Sequence, residues 1–214
     1  MGKIAGSVDV ESVLMSLSQH RPVFHSEADF QHAFAWEVQR SDPTIGVRLE
    51  VRIAPHQHLD LLCSRPDINR YTAVELKFPT ASWSGEYADE QFGLRHHSAT
   101  DVTGYRIVKD IQRLEQDVVG RDGWNGLLIV VTNEPFYWRR PAHGHQTNAD
   151  DFRIHEGTRL EGIRTWGPHT GNGTMKGYEE SLALAGVYDL HWRPYSRLEG
   201  PHGEFRALVV AVEG

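Results

Sequence analysis

The 214-residue chain is 39% hydrophobic and 24% charged, which suits one globular domain large enough for a real core. A net charge of -7 argues against a protein that coats nucleic acid by bulk positive charge, though not against an enzyme whose acidic site is neutralised by a metal ion. No stretch approaches the length of a membrane span, residues 1–15 lack the apolar core of a signal peptide, and one cysteine, Cys63, excludes an internal disulfide, so a cytoplasmic, reducing location is expected.

A first helix is expected over residues 8–18. A better-marked one follows in HSEADFQHAFAWEVQ. Ser26 suits its N-cap, Asp29 stands where a capping-box acid stands, Phe30, Phe34 and Val38 share a face, and Pro43 marks the end. In VRLEVRI, residues 47–53, Val47, Leu49, Val51 and Ile53 alternate with Arg48, Glu50 and Arg52, the pattern of a strand with one wet face. LDLLC and TAVELKF read as two more strands. The turn-like SRPDINR joins them, and the short links favour an antiparallel meander.

Residues 79–100, rich in Ser, Gly and His, are expected to form a mobile loop. A helix over about 102–119 carries the apolar stripe Ile107, Ile111, Leu114 and Val118, with Arg106/Asp110 and Arg113/Asp117 expected as surface pairs. LLIVVT, continuously apolar, suits a strand buried on both faces in parallel pairing after a helical crossover. Residues 141–177 are expected to be long loops, 182–185 the end of a helix, and VYDLHW and FRALVVAV late strands. The sum is an α/β domain over 1–214, a mixed sheet with helices on it.

Side chains alternate across a strand. In TAVELKF, Glu75 and Lys77 therefore point away from Val74, Leu76 and Phe78. In HLDLLC, Asp60 points away from Leu59, Leu61 and Cys63. If the apolar faces share a core, Asp60, Glu75 and Lys77 converge. Two close carboxylates repel unless a cation compensates, and Mg²⁺, bound by hard oxygens, is suited to that place. Such a metal polarises a phosphate and acidifies a water, while Lys77 is placed to orient or deprotonate that water or to stabilise phosphate charge. The alternative is that these charges are only a solvated strand face.

An acid followed, on the neighbouring strand, by acid-x-Lys resembles the PD-(D/E)xK nuclease superfamily, the restriction-endonuclease-like proteins. Asp60 matches the first acid and Glu75-Leu76-Lys77 the tripeptide, while Leu59 stands in place of the family's proline. The family's core of helix, three strands, helix and strand is the order read over residues 24–133, with a C-terminal extension over 134–214. The resemblance implies an Mg²⁺-dependent nuclease, Mn²⁺ being a possible substitute, with Asp60, Glu75 and the Leu76 carbonyl as metal ligands and Lys77 acting on the water. It also implies an acid from the first helix, for which Glu27 is the choice and Glu37 the reserve. DNA is the expected substrate ahead of RNA, and a homodimer is the arrangement that would let two sites cut two strands. Gln112 is a candidate to approach the site from the second core helix, whereas Asp110 is expected to be a helix-surface charge. The alternatives are a non-catalytic nucleic-acid-binding relative and a phosphodiesterase acting on small nucleotides.

Thirteen histidines raise zinc, through His56/His58, His143/His145 and His96/His97, but structural zinc usually needs four ligands and often cysteine. His58 and His97 remain candidates for substrate contact. GNGTMKG, residues 171–177, lacks the spacing of a phosphate-binding loop, and no Gly-x-Ser-x-Gly elbow occurs. Cys63 is expected to be buried rather than nucleophilic. Phe136-Tyr137-Trp138-Arg139-Arg140 is either a nucleic-acid contact through its aromatics and arginines or an amphipathic cover for the sheet with Arg139 and Arg140 exposed.

Overall fold

The computed structural model describes residues 2–54, 57–142 and 146–214. The chain begins with two short paired strands, β1 (Lys3–Ile4) and β2 (Val8–Asp9), followed by helices α1 (Val10–His20) and α2 (Glu27–Ser41). Three strands come next: β3 (Gly46–Ala54), β4 (Gln57–Arg65) and, after a short 3-10 turn, β5 (Arg70–Lys77). A hairpin, β6 (Trp83–Tyr87) and β7 (Glu90–Leu94), precedes helix α3 (Thr100–Val118) and strand β8 (Trp124–Thr132). The remainder holds β9 (Arg159–Arg164), the one-turn helix α4 (Asn172–Met175), and strands β10 (Leu182–Asp189), β11 (Trp192–Arg197) and β12 (Glu204–Glu213).

Six strands form one mixed sheet in the order β11-β12-β8-β5-β4-β3. All neighbours are antiparallel except β5 and β8, which pair parallel in register from Tyr71↔Trp124 to Lys77↔Val130. That one parallel step is the crossover made by α3, as the LLIVVT run led us to expect. Helices α1 and α2 cover one face, where Phe24, Phe30, Phe34 and Val38 meet Leu61, Val74, Leu76 and Ile129. Helix α3 covers the other, where Ile107, Ile111, Leu114 and Val118 meet Ala73, Leu128, Val130 and Leu208. Among the described residues no helix is long and apolar enough to cross a membrane.

Helix α2 starts as its sequence directs. Ser26 Oγ accepts from Asp29 N, while the Asp29 carboxylate accepts from His25 N and pairs with Arg21. Several expectations are corrected. Residues 79–100 are not a structureless loop, because β6 and β7 form a hairpin there with Tyr87 paired to Glu90. Residues 141–177 include β9, residues 182–185 belong to strand β10 rather than to a helix, and VYDLHW is split between β10 and β11. The segment 134–214 does not sit outside the core: β11 and β12 extend the central sheet beyond β8.

Strict alternation also fails at one place in β4. Leu61 and Cys63 join the α2-side core, but Leu59 joins the α3-side core. The neighbouring β3 does the same, with Val47 against the α2 side and Ile53 against the α3 side. Between these halves lies Glu50, whose φ of 50° is left-handed. It falls between the pairs Leu49↔Leu61 and Val51↔Leu59, across from Asp60. The two strands therefore roll together at Glu50 and Asp60, as strands do at an irregularity that re-aims a side chain.

Candidate functional site: an acidic cluster between the sheet and the crossover helix

The last β4–β5 pair is Leu61↔Val74, and beyond it the two strands part. Leu76 N then has no strand partner on the β4 side and donates instead to Asp60 Oδ2 at 2.6 Å. Phe78 N donates in the same way to Glu27 Oε2 at 3.0 Å. Two carboxylates, one from β4 and one from the first turn of α2, thus take over the hydrogen bonds that a paired strand would make.

Glu75 and Lys77 point to the α3 side, so the buried face of α3 closes over them. Lys77 Nζ lies 3.1 Å from Asp110 Oδ2, 3.9 Å from Glu75 Oε2 and 4.0 Å from Asp60 Oδ2, and it donates to the Leu76 carbonyl at 3.2 Å. Arg113 Nη1 bonds Asp110 Oδ1 at 2.9 Å. Its Nη2 reaches Glu75 Oε1 at 3.2 Å and the His58 carbonyl at 2.9 Å. Glu27, Asp60, Glu75 and Asp110 therefore face two cations, Lys77 and Arg113.

Burial and excess negative charge set the protonation states. Burial, with Asp110 and Asp60 beside it, pushes the Glu75 carboxyl up to about 9. Burial also raises Asp60, against the pull of Lys77 and the Leu76 N–H. For Lys77 burial acts to lower the ammonium, but the carboxylates of Asp110, Glu27, Asp60 and Glu75 outweigh it and hold the group above its ordinary value.

Asp110 and Arg113 overturn the expected surface pairs. Asp110 is only 6% exposed, and among the described residues its buried Oδ2 meets the Lys77 ammonium at 3.1 Å without a well-formed hydrogen bond. Arg106 turns to Tyr178, and Asp117 is approached by Gln57 rather than Arg113. The sequence did carry a signal for Asp110: it lies three residues after Ile107 and four before Leu114, inside the apolar stripe. A charge in that stripe must meet a partner on the sheet.

The other candidates go elsewhere. Gln112 donates to Ala183 O on β10 at 3.1 Å and makes no bond to the cluster. Glu37 is buried against α1, bound by Arg40 at 2.7 Å, and burial is outweighed there by Arg40 and Ser16, which hold its carboxyl low. The His58 side chain is exposed, and only its carbonyl touches the cluster. His97 Nδ1 accepts from Thr80 N, while His96 turns to Glu134 at 3.5 Å, so this histidine pair diverges. His56, His143 and His145 lie outside the described residues. Tyr137 and Trp138 are buried in the α3-side core, leaving Arg139 and Arg140 exposed. Arg139 borders a groove of about 1210 Å³, together with Trp83, Asn133, Arg197 and His202, that holds none of the four clustered acids. Cys63 is buried and its thiol is pushed up to about 12 by burial.

Among the described residues, no three His, Cys, Asp or Glu side chains are already set to hold a metal ion. The donors nevertheless suit a hard cation in kind: carboxylate oxygens of Asp60 and Glu75, the Leu76 carbonyl, and a buried Asp110 oxygen short of a donor, all gathered about the Lys77 ammonium. Comparison with protein-family models, with curated proteins and with solved structures gave no match.

Proposed function

We propose that the chain is a metal-dependent nuclease of the PD-(D/E)xK kind, hydrolysing phosphodiester bonds in nucleic acid, with DNA the substrate by analogy with that superfamily. The observation that carries the reading is the convergence of Asp60, Glu75 and Lys77 from two parting strands, with both carboxylates within 4.0 Å of the Lys77 ammonium. The sheet supports it too, since the order of α2, three antiparallel strands, a crossover helix and a parallel strand is the one such nucleases share.

Asp60, Glu75 and the Leu76 carbonyl would hold Mg²⁺ or Mn²⁺. That ion supplies polarisation of a phosphate oxygen and acidification of a water. The chain's own residues do the rest. Lys77, held protonated at neutral pH, orients the attacking water by hydrogen bond and balances charge growing on the phosphate. Asp110 and Arg113 position Lys77 and Glu75 from α3. Glu27 fixes the strand just after Lys77 through the Phe78 N–H.

The test is cleavage of duplex DNA, single strands, RNA and cyclic nucleotides with Mg²⁺ or Mn²⁺. Cleavage that needs metal and falls at least about a hundredfold in Lys77→Ala, with binding retained, is the expected result. A second reading, a non-catalytic nucleic-acid-binding relative, is favoured by how far Lys77 and Arg113 already neutralise the cluster. Binding without metal-dependent cleavage of any of these substrates would select it.

A further inference from the structure

Beside the acidic cluster, and bordered by Glu27, lies an open cleft of about 390 Å³. One wall is the start of α2 with His25 and Glu27. The other is the chain leaving β7, with Arg95 and His97, and Phe78 and Thr80 form the floor. Thr80 comes three residues after Lys77 and is 2% exposed. It fastens the far wall by hydrogen bonds that include its N–H to His97 Nδ1 at 2.9 Å, its hydroxyl to the Arg95 carbonyl at 2.7 Å, and its carbonyl from His97 N at 2.8 Å.

This fastening fixes chemistry as well as position. Nδ1 of His97 is taken up by Thr80, accepting from its amide and lying 3.1 Å from its hydroxyl, so Nε2 is the ring nitrogen left on the free side, and the tautomer in which Nδ1 accepts makes it a donor. Arg95 adds a guanidinium that has no ion-pair partner among the described residues. Two exposed donors beside a cleft suit an anion. Across from them, the His25 ring lies flat on Phe92, with centroids 4.3 Å apart and planes 14° from parallel, and is anchored by Glu90 at 2.9 Å. Its side chain remains 45% exposed and lines the same opening.

We propose that this cleft receives one unpaired nucleotide next to the scissile bond, its phosphate held by Arg95 and His97 and its base lying against the His25–Phe92 stack. The inference rests on the nuclease reading for the word scissile. It goes beyond that reading in requiring a single-stranded flank. A base-paired nucleotide has its faces covered by neighbouring bases and cannot stack on His25, whereas an unpaired one offers both phosphate and π-face.

The test is fluorescence anisotropy in EDTA with a short labelled single-stranded oligonucleotide and a blunt duplex of the same sequence. Arg95→Ala and His97→Ala are expected to weaken single-strand binding by about tenfold, and His25→Ala by about fivefold, with duplex binding unchanged and Arg48→Ala as wild type for both probes. Thermal unfolding of each variant confirms that it is folded. Equal single-strand binding by wild type and the cleft variants overturns the proposal, and so does a parallel loss for duplex and single strand, which would mean bulk charge rather than a nucleotide seat. Metal-dependent cleavage by the same wild-type protein is scored separately: its absence beside the expected binding pattern removes the nuclease reading while leaving the cleft assignment supported.

Discussion

Glu75 is the residue whose environment is most at odds with its ordinary chemistry. It is 2% exposed, faces two other carboxyls, and is pushed up to about 9. Without metal, burial and the two neighbouring carboxyls favour its neutral acid over the carboxylate, against the pull of Lys77 and Arg113. For a carboxyl raised in this way, the folded chain keeps a proton that the unfolded chain has lost at every pH between about 4.5 and about 9. Its contribution to stability is thus largest at the acidic end of that window and declines as pH rises through it, by at most about 1.4 kcal/mol per pH unit. Glu75→Gln removes the titration but keeps the shape. In EDTA the variant should match wild type near pH 5 and become progressively the more stable toward pH 9, as read by urea unfolding. Parallel curves would mean that Glu75 is ionised in the native protein. Lys77→Ala acts in the opposite sense. It strips the cation from Asp110, whose Oδ2 has no other polar partner among the described residues, and should cost about 3 kcal/mol in the same assay.

At the scale of elements, the β6–β7 hairpin shows where local sequence stops being informative. Its two-residue turn, Ala88-Asp89, has φ of 51° and 64°, a conformation that glycine and asparagine favour. Neither residue advertises it, and the hairpin is held by tertiary contacts instead: Trp83 and Phe92 reach the α2-side core. Replacing Ala88→Asn together with Asp89→Gly should raise stability by about 1 kcal/mol, measured as a shift in urea midpoint at constant slope, because the turn then matches its residues. By contrast α2, β5, α3 and β8 were legible, since each carries a periodicity or an unbroken apolar run that only one kind of element satisfies. Asp60, Glu75 and Lys77 were legible together because period-2 alternation puts Glu75 beside Lys77, and the short β4–β5 link brings Asp60 to them. The roll at Glu50 and Asp60 was hidden, because a left-handed residue inside a strand of alternating Val and Arg leaves no trace in composition. Asp110 escapes a local i,i+4 pairing rule, because that rule does not register which face of α3 the sheet covers.

For the molecule as a whole, the proposed metal site would tie stability to divalent cations. Anything that binds only the folded chain stabilises it, by about 2.7 kcal/mol at a hundred times its Kd. Saturating Mn²⁺ should therefore raise Tm by about 5–10 °C for a chain of this size, with EDTA reversing the effect. Asp60→Asn is the informative control, because the amide carbonyl still accepts from Leu76 N while the negative charge is gone. It should unfold near the wild-type temperature without metal and gain nothing from Mn²⁺. An equal gain in the variant would place the cation elsewhere.

The position of β12 between β8 and β11 has a consequence for how the chain is made. β8 leaves the ribosome well before β12, so one edge of a strand built from LLIVVT stays unpaired while β9, α4, β10 and β11 are still being synthesised. An apolar strand with an open rim invites pairing with other chains. Nascent molecules halted before Glu204 should therefore clump or be bound by chaperones, and the arrival of β12 is the event that seals the sheet.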